Sequence, residues 1–132
     1  MSNIVIYNSE GRILRSVSAP PDMLQIQIQE GELGVEGVAN LETDYILSGV
    51  ITKRPTQTTL LDKAILTANG IDVINITNAP DGIFTATNVI TGELVTGNIN
   101  GSDTFETTVV GTYAIKIEAF PYLDFATTIE AR

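Results

Sequence analysis

The chain has 132 residues, 7 basic and 16 acidic, for a net charge of −9, and it contains no cysteine, histidine or tryptophan. Disulfides and thiolate metal sites are excluded, and the commonest general base and transition-metal ligand are missing. An acidic surface repels phosphate backbones and anionic bilayers, so neither nucleic acid nor membrane is expected as a partner, and no cofactor or metal is assigned.

Composition shifts near Arg54-Pro55-Thr56. Threonine occurs before it only at Thr43 and Thr52, then recurs from Thr56 to Thr128, while the acidic excess deepens. The run Pro55-Thr56-Gln57-Thr58-Thr59 reads as a short polar linker. Two units are expected, 1–55 and 56–132.

The first unit reads as a small β-module. Asn3–Tyr7 is an apolar run, Asn8-Ser9-Glu10-Gly11 supplies a turn, and Arg12–Ser18 follows as a second strand. Ala19-Pro20-Pro21-Asp22 stops the sheet, because proline cannot donate to a ladder. Over Met23–Gln29, Leu24, Ile26 and Ile28 alternate with glutamines at strand period, whereas Pro20-Pro21-Asp22 is a helix start. Both readings stand, with the weight on a short helix. Glu32–Val38 is a further strand, and Tyr45–Leu47 with Val50–Thr52 form a hairpin about Ser48-Gly49.

The second unit reads as seven short strands: Lys63–Thr67, Asp72–Thr77, Ile83–Ile90, Glu93–Ile99, Thr104–Val110, Thr112–Ala119 and Asp124–Ala131. Turn residues separate them, among them Ala79-Pro80-Asp81-Gly82 and Asn100-Gly101-Ser102-Asp103. Even spacing of this kind is the signature of an antiparallel sandwich. Alternation agrees: Tyr113, Ile115 and Ile117 share one face of their strand, opposite Thr112, Ala114, Lys116 and Glu118. The fold class is therefore all-β, a small N-terminal module followed by a seven-stranded immunoglobulin-like Greek-key sandwich. Tyr113, just after Gly111, fits a tyrosine corner, whose hydroxyl bonds backbone a few residues upstream; an ordinary core-edge tyrosine fits equally.

Few residues are candidates for chemistry. Glu30, Glu32 and Glu36 are the densest carboxylates, but on a Gly-rich turn and strand they read as a solvated edge that deters pairing, not a glycosidase pair. Asn98, Asn100, Ser102 and Asp103 offer hard oxygens without calcium-loop spacing. Asp62, Asp72 and Asp81 read as turn residues, and Ser9, Ser16, Ser18 and Ser48 lack a base. Gly31, Gly34 and Gly37 lack the lysine and helix of a phosphate loop. No catalytic, cofactor-binding or metal residue is assigned, and no enzyme is expected. Phe120, Pro121, Tyr122 and Leu123 form an apolar turn, read either as rim packing or as a protein-contact site.

Leu61-Asp62-Lys63, Leu66–Asp72, Ile74-Asn75-Ile76 and Gly111–Tyr122 resemble Ig-like domains of tailed-phage virion proteins. Tyr7, Gly11–Ser16, Gly31-Glu32, Glu36-Gly37 and Arg54-Pro55 resemble the start of small phage tail proteins, from which Met23–Gln29 departs. The resemblance implies a structural virion component of the tail fibre, tail tip or baseplate, assembled in the host cytoplasm, with other tail proteins as partners and no catalytic residues. It also makes a homo-oligomer the expectation, a trimer by analogy with symmetric fibres. The alternatives are a carbohydrate- or host-surface-binding module, against which the scarcity of aromatics weighs, and a capsid decoration protein.

Overall fold

The computed structural model describes residues 2–132, and the chain divides into two compact units between Pro55 and Thr56. The first unit is built around one strand buried on both sides. Strand β1 (Ser2–Tyr7) pairs antiparallel with β2 (Ile13–Ala19) on one edge and β3 (Leu33–Glu36) on the other. Ile4, Val5 and Ile6 are consecutive and all buried. Because side chains alternate along a strand, Ile4 and Ile6 face one way with Ala19 and Leu24, and Val5 faces the other with Ile13 and Ile46. A continuous apolar run, not an alternating one, is what a strand covered on both faces needs.

Each cover has its own element. On the Ile4/Ile6 face, Pro21–Met23 and Gln25–Gln27 form two single 3-10 turns that bring Leu24 and Ile28 onto the sheet. The short helix expected over Met23–Gln29 is present as two 3-10 turns that meet at Leu24 and end where Ile28 is extended at ψ 119°. On the Val5 face lies the hairpin of β4 (Asp44–Leu47) and β5 (Val50–Lys53), turning at Ser48-Gly49, both with positive φ. Gly11 fixes that hairpin. It has φ +88°, its carbonyl accepts the Ile46 N–H at 2.8 Å, and a Cβ placed on it would lie 2.1 Å from the Ile46 oxygen.

The second unit is the sandwich, with strand boundaries unlike those of the sequence pattern. Its strands are β6 (Leu60–Leu61), β7 (Ile65–Leu66), β8 (Ile74–Asn88), β9 (Leu94–Phe105), β10 (Gly111–Glu118) and β11 (Phe125–Ala131). The turns expected at Ala79–Gly82 and Asn100–Asp103 do not separate strands. There β8 and β9 run on as a bent ribbon, with register shifts between Ile76 and Ala79 and between Ala79 and Gly82. Each shift sets extra β8 residues against β9, the mark of a β-bulge, and bulges bend a strand. Asn78 (φ 58°) and Gly101 (φ 87°) carry the bend. Pro80, which cannot donate, is tolerated there. Gly82 is needed because a Cβ would meet the Glu118 oxygen at 2.4 Å.

The bend splits each long strand between two layers. The first part of β8 pairs with β6 and with the end of β9, Leu60 opposite Thr77 and Ile74 opposite Phe105. Its second part pairs with the start of β9 and with β10, which pairs with β11, and β11 ends parallel to β7. The expected stretches thus form a Greek-key sandwich with Leu60–Leu61 as a further edge piece the sequence did not mark, but the stretch expected at Thr104–Val110 is strand only to Phe105, and residues 106–110 are loop. Between the layers lie Leu66, Ile74, Ile76, Phe84, Ile99, Phe105, Ile115, Ile117 and Ile129. Phe105 packs edge-on to Tyr113 at 5.2 Å and tilted to Phe84 at 6.3 Å, knitting the crossing strands.

The tyrosine corner is formed. After β9 the chain crosses between layers over residues 106–110, and the Tyr113 hydroxyl donates to the Val109 carbonyl at 2.8 Å and lies 2.9 Å from Thr107 Oγ1. The stretch Pro55–Thr59 is not a free linker. Gln57 Nε2 donates to the carbonyls of Ile117 and Leu123, both at 2.9 Å, and the buried Thr59 donates its hydroxyl to Gln57 Oε1.

Candidate functional site

The turn between β10 and β11 holds the four residues read as a contact site. The Phe120–Pro121 peptide is cis, and the Tyr122 N–H closes the turn on the Ala119 carbonyl at 2.8 Å. Phe120, Pro121 and Leu123 are half-buried, and Tyr122 is 36% exposed. The turn is therefore less open than its composition suggests. Gln57, which the sequence places in a polar linker, holds its far side through the Leu123 carbonyl. Tyr122 borders a cleft of about 300 Å³ with Thr58, Asn78, Ala79 and Pro80.

The opposite end of the sandwich exposes more apolar surface. Ile71 is 82% exposed, Ile90 80% and Val110 63%, with Val89 and Leu94 also exposed. Three loops meet here: the Gly70 N–H donates to the Thr107 carbonyl, and the Val89 N–H to the Thr112 carbonyl. Asn88 organises the β8–β9 turn. It is buried, its Oδ1 accepts the N–H groups of Ile90 and Thr91, and its backbone N–H donates to Glu93. Asn88-Val89-Ile90-Thr91-Gly92 carried the available signal, an Asx turn with two large aliphatics at its tip.

The long side of the sandwich is open along β9. Residues 94–98 are all exposed, and this half of β9 pairs only with β8. Between it and the strand's other end lies a cleft of about 260 Å³ bordered by Val95, Gly97, Asp103 and Glu106, with Phe84 and Phe105 at its base. Asn98, Asn100, Ser102 and Asp103 lie along this strand, not in a single loop.

Several carboxylates have structural partners. Glu32 accepts both guanidinium nitrogens of Arg15, at 2.7 and 2.8 Å, and the Gln29 N–H at 2.9 Å. Arg15 also donates to the Gln27 carbonyl, tying the 3-10 turns to the sheet. The Arg15 bonds above all, then the Gln29 N–H, hold the Glu32 carboxyl down at about 2. The solvated edge expected for Glu32 is instead a bidentate ion pair, its side chain 14% exposed.

Asp44 is also held below the usual carboxylate range, first by the Asn40 N–H and then by Lys53, whose ammonium lies 3.1 Å away. Asp62 is lowered by the Asn75 side chain and N–H, joining β6 to β8. Asp72 is lowered by Lys63 and by the Thr67 N–H. Among the described residues no group of three or more Asp and Glu is gathered for a metal, and no helix is long and apolar enough to cross a membrane.

No protein family and no curated protein matches the chain. Among solved structures, a glycosyl hydrolase family 2 member from Bacteroides cellulosilyticus is similar at a TM-score of 0.37 and 12% identity, over 98% of this chain. The chain spans 21% of that structure's length. A likeness this slight carries no functional argument.

Proposed function

We propose that the chain is a structural, non-enzymatic component of a tailed-phage virion, in the tail fibre, tail tip or baseplate, acting through protein–protein contacts. The observation that carries the reading is a well-packed sandwich with large aliphatic side chains set on its loops. Ile71, Ile90 and Val110 stand on one end of an otherwise acidic unit, where exposed apolar groups are costly unless covered in an assembly. The sequence resemblance to phage tail proteins supports the same reading. In this role the sandwich projects, the first unit docks, and Tyr122 with its turn offers a second contact. Mass spectrometry of gradient-purified particles from the phage that encodes the chain is the direct test. The protein should appear at a fixed copy number relative to the major tail protein, and its absence from intact particles would refute the proposal.

A further inference from the structure

A free sheet edge presents a row of unpaired N–H and C=O groups that recruits another strand unless something blocks it. Most edges in this protein are blocked or short. β2 carries Arg15, the β4–β5 hairpin carries Asp44 and Lys53, β6 and β7 pair over two residues each, and the end of β9 holds Asp103. The first half of β9 differs. Residues 94–99, Leu-Val-Thr-Gly-Asn-Ile, contain no charge and no proline, and residues 82–102 contain a single charge, Glu93, in a chain of net −9.

We propose that this edge is a self-association surface, at which β9 of one copy pairs antiparallel with β9 of a second copy to run one sheet through both sandwiches. The proposal goes beyond the virion reading and does not depend on it. Charge argues for a second copy as the occupant. Two chains of like sign repel wherever acidic residues face each other, and this strip is where they do not. The strand is also self-complementary. A two-fold axis at Gly97 sets Thr96 opposite Asn98, Val95 opposite Ile99 and Leu94 opposite Asn100, with no like charges opposed. Val95, 61% exposed, then lies beside the partner copy's strand and closes the side of the Phe84/Phe105 cleft. Gly97 suits the axis, since a Cβ there meets no atom within 4 Å and nothing projects against an approaching strand.

Sedimentation equilibrium of the full chain is the test. The expected species is a dimer, twice 14.1 kDa. Thr96→Glu with Asn98→Glu places carboxylates directly opposite one another in the paired register. It should weaken association at least ~100-fold, as juxtaposed like charges do in interfaces, while the circular dichroism spectrum stays unchanged. Gly97→Cys gives an independent reading in a chain without native cysteine. Residues opposite each other in an antiparallel pair sit about 4.5–5.5 Å apart, within disulfide reach. Mild oxidation should therefore cross-link this variant and leave Ser102→Cys without a covalent link, although it still associates. A monomer at ~100 µM would overturn the proposal, because a Kd of ~10 µM already pairs most of the chain there. So would a trimer, a folded double-Glu variant that stays dimeric, or cross-linking at Ser102→Cys equal to that at Gly97→Cys. A monomer that instead binds an extended peptide from another protein also overturns it.

Discussion

Replacing Tyr113 by Phe removes one hydroxyl and keeps the ring against Phe105. Tyr113 is 6% exposed, and its hydroxyl donates to the Val109 carbonyl at 2.8 Å and contacts Thr107 Oγ1 at 2.9 Å. A neutral hydrogen bond is worth ~1 kcal/mol net, and a stranded buried partner costs ~1–3 kcal/mol more. Val109 is 42% exposed, so its carbonyl can turn to water, and Thr107 Oγ1 keeps the Val109 N–H it accepts at 3.1 Å. The loss should therefore be ~1.5 kcal/mol, not ~3 kcal/mol. For a unit of this size that lowers Tm by about 6–12 °C. Urea unfolding followed by far-UV circular dichroism should show a lower midpoint at unchanged m-value. Thr107→Ala breaks the same contact, so the double variant should lose less than the sum of the singles, by about 0.5–1 kcal/mol. A Tyr113→Phe midpoint within ~0.3 kcal/mol of wild type, or strict additivity with Thr107→Ala, would refute the corner as a closing device.

The Glu32 carboxyl titrates near 2 when folded and near 4.5 when free, so its stabilisation is full above pH 4.5 and disappears as pH falls toward 2. NMR titration of the side-chain carboxyl reads this directly, and Arg15→Lys, which loses the two-pronged geometry, should move the Glu32 midpoint upward. Asp44, Asp62 and Asp72, also held low, should add to the acid sensitivity, and unfolding curves at pH 6 and 3 should show lower stability at 3. Gly11→Ala should cost at least ~3 kcal/mol, combining a left-handed φ with a Cβ inside the Ile46 carbonyl, and hydrogen exchange should show β4 and β5 losing protection first. Gln57→Ala removes the two hydrogen bonds to the carbonyls of Ile117 and Leu123 and should cost ~2 kcal/mol by chemical denaturation, with faster exchange at the β10–β11 turn.

Periodicity read the sandwich well where each residue's fate is set by one face. Tyr113, Ile115 and Ile117 are buried and Lys116 and Glu118 exposed, as alternation requires. It failed where a residue type serves two ends. Pro80 and Gly82 make a turn signal, but Gly82 is small because β10 passes against it, and Pro80 stands at a bulge where no donor is required. The same ambiguity hid Gln57 and Thr59. A polar run looks like linker unless the fold is known to bring Gln57 against the distant carbonyls of Ile117 and Leu123. The Arg15–Glu32 pair spans seventeen positions, beyond any local rule. The Phe120–Leu123 turn was legible as apolar, but its half-burial comes from the fold.

The parallel junction of β7 and β11 has a mechanical consequence. The strands are joined by Glu130 N–H to the Ala64 carbonyl, Arg132 N–H to Leu66 and Ala68 N–H to Arg132. Tension applied between the two ends of this unit, at Thr56 and Arg132, draws parallel neighbours past each other lengthwise. These bonds are then loaded together in shear instead of being peeled one at a time. A sandwich wired this way resists stretching along its chain far better than its short strands suggest, and it yields only when the whole seam slips at once.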